Sequence, residues 1–133
     1  SSSRQYKALS CSTTHAFISI SRSDQISNMD SNFSVPVSVP IMGPGDVTIA
    51  YKWTDLFDED LLVPLEKAGI LSGFWWSGSD SNGNAIRDNC SSWQDGTNRQ
   101  KGRSGAHDRI NIEWLESKSR NCNNSLHLLC LCW

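Results

Sequence analysis

Within the stretch "GRSGAHDR", Ser104, His107 and Asp108 supply the residue types of a nucleophile, a general base and an orienting acid. Their spacing does not fit that chemistry. A nucleophile elbow reads Gly-x-Ser-x-Gly, whereas this stretch reads Gly102-Arg103-Ser104-Gly105. Adjacent His and Asp on a loop also rarely turn toward one hydroxyl. The stretch is expected to be a solvated glycine loop, and the chain is expected not to be an enzyme. His127, Cys130 and Cys132 are metal-ligand types, but on a strand the two cysteines share one face and His127 takes the other, so no metal site is expected. Asp55, Asp58, Glu59 and Asp60 offer oxygen ligands for calcium, yet such a run is more often a solvated helix face. No cofactor is implied.

Basic residues give the strongest functional signal. Between Gly96 and Arg109 stand Arg99, Lys101, Arg103 and Arg109 against the single acid Asp108. Lys118 and Arg120 follow, and Arg87 lies just before Cys90. Acids crowd instead between Asp55 and Asp60, so a near-neutral chain can carry a positive face. Arginine forks match sulfate and carboxylate oxygens, and several contacts add up along a linear polyanion. The expected ligand is a sulfated glycosaminoglycan, such as heparin, heparan sulfate or chondroitin sulfate, held by Arg87, Arg99, Lys101, Arg103, Arg109, Lys118 and Arg120. Arg99, Lys101 and Arg103 alternate along "NRQKGR" and in extended chain would project to one side.

The elements that must position these residues belong to a chain of 133 residues with a formal charge of −2. That length suits one core, and the charge gives no reason to expect nucleic acid. No apolar run reaches the about eighteen residues of a membrane span, so no membrane insertion is expected. The chain starts at Ser1 without Met or an apolar signal region, which reads as a mature fragment. Residues 1–10, "SSSRQYKALS", read as a linker from an upstream stalk, and 11–133 as one domain. Cysteines at 11, 90, 122, 130 and 132 place the chain in an oxidising, extracellular or cell-surface setting. Their odd number leaves at least one thiol unpaired or paired to another chain. Asn32, Asn89 and Asn123 each begin an N-x-S sequon.

Strands are expected from Thr14 to Ser21, over "VTIAYKW", over "FWWSG" and through "SLHLLCLCW". Prolines make "FSVPVSVPI" extended chain at a sheet edge or outside it. "GPGD" and "SDSNGN" read as turns. A short helix is expected after Thr54 as N-cap, with Phe57 and Leu61 four apart, and a second short turn at "PLEKAG". "NCSSWQDG" reads as a strand or bend with Cys90 and Trp93 pointing inward, and "INIEWL" as a strand or short buried segment. "SRSDQISNMDSN" and "TNRQKGRSGAHDR" read as loops. The class is a strand-rich α+β fold with long loops and one or two short helices.

"WWSGSDSNGNAIRDNCSSW" resembles a segment of endostatin, the C-terminal domain of collagens XV and XVIII, in which a Trp-x-Gly-Ser-Asp-x-Asn-Gly turn precedes Cys-x-x-Trp. "VPIMGPGDVTIAYKWTDLF", "KGRSG", "WLESKSRNC" and the eight-residue spacing of Cys122 and Cys130 agree in outline, so the likeness spans roughly Pro36 to Trp133. It implies a compact C-type-lectin-like fold with a twisted, mostly antiparallel sheet. By family position Cys90 pairs with Cys122. A bridge over that loop would stabilise by roughly 3–4 kcal/mol in the chain-entropy account. Endostatin's histidine-rich zinc segment and long helix have no counterpart, and its heparin-binding arginines do not map cleanly onto this chain. The Glu-Pro-Asn and Trp-Asn-Asp motifs of lectin calcium sites are also missing; "WQD" is a near miss. Strand direction places Cys11 opposite Cys132 or Cys130, with Cys132 preferred and Cys130 left as a buried thiol. Similar domains occur in bacterial surface proteins, some behind collagen-like stalks, which implies an adhesion module and a homotrimer. The alternatives are a structural cap that registers three stalk chains, and a calcium-dependent sugar lectin.

Overall fold

A computed structural model describes residues 11–133, so the linker expected over 1–10 lies outside the described residues. Seven short strands build the frame: β1 (Thr14–Ala16), β2 (Ile41–Gly43), β3 (Val47–Ala50), β4 (Trp75–Trp76), β5 (Lys101–Gly105), β6 (Ser119–Asn121) and β7 (Cys130–Cys132). Two short right-handed helices, α1 (Met29–Phe33) and α2 (Asp55–Asp58), and two 3-10 turns, Ile26–Asn28 and Ile112–Trp114, complete it. All paired strands run antiparallel, as β1-β7, β2-β3 and β4-β5-β6. The fold is therefore strand-rich α+β with a mostly antiparallel sheet arrangement.

β1 and β7 bring the two ends of the described chain together, with His15 opposite Leu131. Cys11 is bonded to Cys132 beside this pair, with Cα atoms 5.6 Å apart. Cys90 is bonded to Cys122 at 5.8 Å, joining the segment before β5 to the end of β6. Cys130 is the free cysteine; it is half-buried rather than buried.

The core is aromatic where aliphatic strands are scarce. Phe17, Trp53, Trp75 and Trp114 are all buried, and the Phe17 ring centroid lies 5.9–6.2 Å from the three indoles. Rings of this kind bury about 150–250 Å² each, so a few replace many aliphatic residues. Ile26, Met29, Leu56, Leu65 and Leu115 are among the residues that fill the remainder. A second, polar layer is built from Ser19, Ser77 and Ser79, all fully buried. Ser19 Oγ bonds Ser79 Oγ and accepts from the Ile26 amide, while Ser77 Oγ donates to the Leu115 carbonyl at 2.7 Å. Satisfied hydroxyls of this kind avoid the desolvation penalty of a buried polar group.

Several expectations need correction. "SRSDQISNMDSN" is not a loop throughout: Ile26 and Met29, three apart, are both buried, and that anchor winds the chain into a 3-10 turn and α1. The expected strand from Thr14 to Ser21 is regular only over Thr14–Ala16, because Ser19 leaves the ladder to bond Ser77. α2 forms after Thr54, yet the Thr54 side chain makes no capping bond. The largest correction concerns "TNRQKGRSGAHDR". Its middle is β5, the central strand of the three-stranded sheet, with Gly102, Ser104 and Gly105 buried.

Candidate functional site

The three-stranded sheet carries the aromatic and basic residues on two unlike faces. Successive strand residues point to opposite sides, so neighbouring Trp75 and Trp76 part company. Trp75 faces the core, where its ring lies 5.9 Å from Trp114. Trp76 faces the other way and is half-buried. Each ring closes on a position of β5 that has no side chain. A Cβ on Gly105 would lie 2.3 Å from the Trp75 ring, and one on Gly102 would lie 2.9 Å from Trp76, 3.0 Å from Trp93 and 2.8 Å from Cys90 Sγ. The aromatic area beside Cys90 thus forms a second small cluster, in which Trp76, Trp93 and the Cys90–Cys122 bridge pack over Gly102. The Trp76 and Trp93 centroids are 5.4 Å apart.

Trp93 reaches this cluster through an unusual turn. Cys90, Ser91, Ser92 and Trp93 all have φ between 54° and 65°. The expected strand or bend is therefore a single left-handed helical turn. Left-handed residues other than glycine cost roughly 1–2 kcal/mol each, so the turn needs anchors. Asn89 Oδ1 accepts from the Ser92 amide, Asn89 Nδ2 donates to the Ile20 carbonyl, and Trp93 Nε1 donates to the Ser19 carbonyl at 2.8 Å. Cys90 is buried at its start. Both ends of the Asn89 amide are engaged in this framework.

Next to Trp76 on the same face, Arg120 crosses the sheet from β6. Its Nε donates to Ser104 Oγ at 3.1 Å, and its guanidinium carbon sits 4.2 Å from the Phe74 ring centroid. A cation over an aromatic face is held by the ring quadrupole. Phe74 in turn meets His107 edge-on at 5.2 Å, and His107 Nδ1 lies 3.0 Å from Glu66 Oε2. Lys118, opposite Ser104 by continuation of the β5-β6 register, is exposed. The face therefore reads Trp93, Trp76, Arg120, Phe74, His107, with Lys118 at its border.

The other face carries Arg103, and there the charge is neutralised. Arg103 Nη1 bonds Glu116 Oε2 at 2.7 Å, its Nε donates to Ser119 Oγ at 3.0 Å, and Asp88 lies within 4.0 Å. Arg103 is thus an internal strut, not part of a projecting basic tip with Arg99 and Lys101. Lys101 shares its face but is exposed, and Arg99 lies on the turn before β5. Asp95, on that turn, has its carboxyl held below the usual carboxylate range, first by the Thr97 hydroxyl and amide and then by the nearby Arg99 charge. Arg87, Lys101 and Lys118 are exposed and make no ion pair among the described residues. Arg87 stands three residues before Cys90, the Cys122 amide bonds the Gln100 carbonyl beside Lys101, and Lys118 lies four residues before Cys122, so the bridge ties together the three segments that carry these cations, with Lys101 on the Arg103 face and Lys118 on the Trp76 face. Arg109 sits apart, in a shallow groove with Asp60, Lys67 and Asp108.

Ser104, His107 and Asp108 do not converge. Ser104 is fully buried, with its hydroxyl donating to the Lys118 carbonyl and accepting from Arg120, while His107 turns to Glu66. The carboxylates of Asp55, Asp58 and Glu59 lie within 4.8 Å of one another on and after α2. A separate apolar groove of about 150 Å³ runs between the 35–44 segment and β7, with Val39, Met42, Cys130 and Trp133 among its walls. Sequence reasoning missed the roles of Phe74 and Trp76. The available signal was the adjacent pair Trp75-Trp76, one of which must leave the core if the segment is a strand.

No protein-family model matches the chain, and no curated protein matches it. The two disulfides fit a secreted or extracellular protein, and no helix among the described residues is long and apolar enough to cross a membrane.

Proposed function

We propose that the chain is an extracellular, non-enzymatic adhesion module of endostatin-like, C-type-lectin-like type that binds sulfated glycosaminoglycan. The observation that carries this reading is the set of exposed cations, Arg87, Lys101 and Lys118, which lack acidic partners among the described residues and stand on the three segments that the Cys90–Cys122 bridge ties together. Arg99 extends the set on the adjoining turn, and the terminal nitrogens of Arg120, without a partner among the described residues, lie on the same sheet face as Lys118. A single exposed charge pair contributes about 0–1 kcal/mol, so binding depends on several contacts along one polyanion. With a Debye length of about 8 Å at physiological salt, affinity falls steeply as salt rises. Arg103 is left out of the site because its charge is consumed by Glu116 and Asp88.

The test is retention on immobilised heparin. The chain elutes above physiological salt, and the combined Arg99→Ala, Lys101→Ala and Lys118→Ala variant elutes below it with an unchanged unfolding transition. Unchanged retention of that variant contradicts the assignment.

A homotrimer at the end of a collagen-like stalk is the second element of the proposal. It is favoured by the apolar groove beside β7 and by the exposure of Val37, Val39, Met42 and Leu128. Apolar patches of this kind mark interfaces. Three copies would repeat the cation set around one axis and give avidity on a long glycan. Light scattering on the chain reads a trimer mass if this holds; a monomer at high micromolar concentration removes it.

A further inference from the structure

We propose that the Trp76 face of the three-stranded sheet recognises the sugar ring of its ligand and not only its charge, so that the partner is an anionic saccharide rather than polyanions at large. The inference rests on the polyanion reading above and specifies what the same region selects.

Three observations carry it. First, Trp76 and Trp93 remain half-buried although a closed aromatic core is available only one residue away at Trp75. Their rings are held in place by Gly102, by the cystine, by Gly78 against Trp93 and by the Trp93 bond to Ser19, so the part of each half-buried residue that reaches water is offered without loss of side-chain freedom on binding. Second, Arg120 is fixed by Ser104 and Phe74 through its Nε and its ring stack, while its two terminal nitrogens have no protein partner among the described residues. Trp76 and Arg120 both flank Ser104: the indole stands directly opposite it in the β4-β5 ladder, and the guanidinium bonds its hydroxyl. Directly opposed residues have Cβ atoms about 5 Å apart and the Arg120 Nε lies 3.1 Å from Ser104 Oγ, so ring and cation border the same β5 residue on one face. Third, the charge on this face is one-sided. Lys118 and Arg120 stand there, the acids Asp88 and Glu116 lie on the opposite face with Arg103, and Glu66 is taken by His107.

An aromatic plate beside an unpaired, pre-oriented guanidinium suits a pyranose that stacks its apolar C–H face on the indole and presents a sulfate or carboxylate to Arg120 and Lys118. A flexible inorganic polyanion satisfies only the cations and gains nothing from the ring.

The experiment compares the intact chain's affinity, by calorimetry at fixed salt, for a heparin-derived octasaccharide and for inorganic polyphosphate of matched charge. The expected result is about tenfold or tighter binding of the saccharide, with a change in tryptophan emission. The preference should collapse in Trp76→Leu and persist in Trp76→Phe. Equal affinity for the two polyanions in the unmodified chain overturns the inference and leaves the charge-based reading standing, whether or not the leucine variant folds. Binding of neither overturns both.

Discussion

Trp75 and Trp76 are neighbours in the chain and opposites in the molecule. Trp75 sits on the closed face of the sheet, 0% exposed, against Phe17 and Trp114, and its indole N–H has no hydrogen-bond partner among the described residues. Trp76 sits on the other face, half-buried, beside a second indole and a guanidinium whose terminal nitrogens have no partner among the described residues. The same residue type is spent on stability in one place and on a presented surface in the next. Strand parity decides which, and β5 makes room for both with glycine: Gly105 under Trp75 and Gly102 under Trp76. The two faces also divide the arginines. Arg103 is locked between Asp88 and Glu116, and Arg120 is braced but not neutralised.

The sharpest way to break this contrast is truncation of each indole. Trp75→Ala should cost about 3–5 kcal/mol, as for a fully buried aromatic ring. Trp76→Ala should cost about half that, because its ring already meets water. Urea unfolding gives both values, and equal losses would mean that the second face is core as well. The paired glycines refine the same point. In Gly105→Ala the new methyl meets Trp75 and the Trp114 carbonyl near 2.4 Å, inside a closed core. In Gly102→Ala it meets Cys90 Sγ and two indoles between 2.8 and 3.0 Å, where the half-open face lets the rings give. Overpacking costs typically about 1–3 kcal/mol, with Gly105→Ala expected at the upper end and Gly102→Ala at the lower. A reversed order would show that the indoles over Gly102 are the more rigid pair.

The arginines offer a smaller effect. Arg103→Ala leaves Glu116 and Asp88 without their partner and should destabilise by about 2 kcal/mol, whereas Lys101→Ala should stay within about 0.5 kcal/mol. A neutral Arg103→Ala would return that residue to the solvated surface. Smallest of all is the acid response of Asp95. Its folded pKa lies below its unfolded value, so its contribution is present above the ordinary carboxylate range and is lost as pH falls through the folded pKa. Asp95→Asn should lower stability slightly near neutrality, where that contribution is present, and flatten the profile through the acid window, where it is lost in the parent.

How much of this was legible in the sequence follows from which signals the residues carry. The antiparallel closure of β1 on β7 and the turn at Asn82-Gly83 follow from alternation and turn chemistry, and both are found. β5 was hidden because its buried positions are Gly102, Ser104 and Gly105, which show no hydrophobic alternation. α1 was hidden because Ile26 and Met29 stand alone in a polar run. The left-handed turn at Cys90 contains no glycine to announce it; neighbours fix it, Ser19 and Ile20 among them, some seventy residues away in sequence. For the site, the types and density of basic residues were readable. Which of them remain free was not, because that depends on the acids that folding places beside Arg103.

The most direct test is an NMR titration of the side-chain ring resonances of the six tryptophans with a heparin-derived oligosaccharide. The rings of Trp76 and Trp93 should shift in a saturable manner, while those of Trp75 and Trp114 stay fixed. Saturable binding that leaves Trp76 and Trp93 unmoved, or that shifts all the rings alike, would contradict a presented aromatic face beside a closed aromatic core.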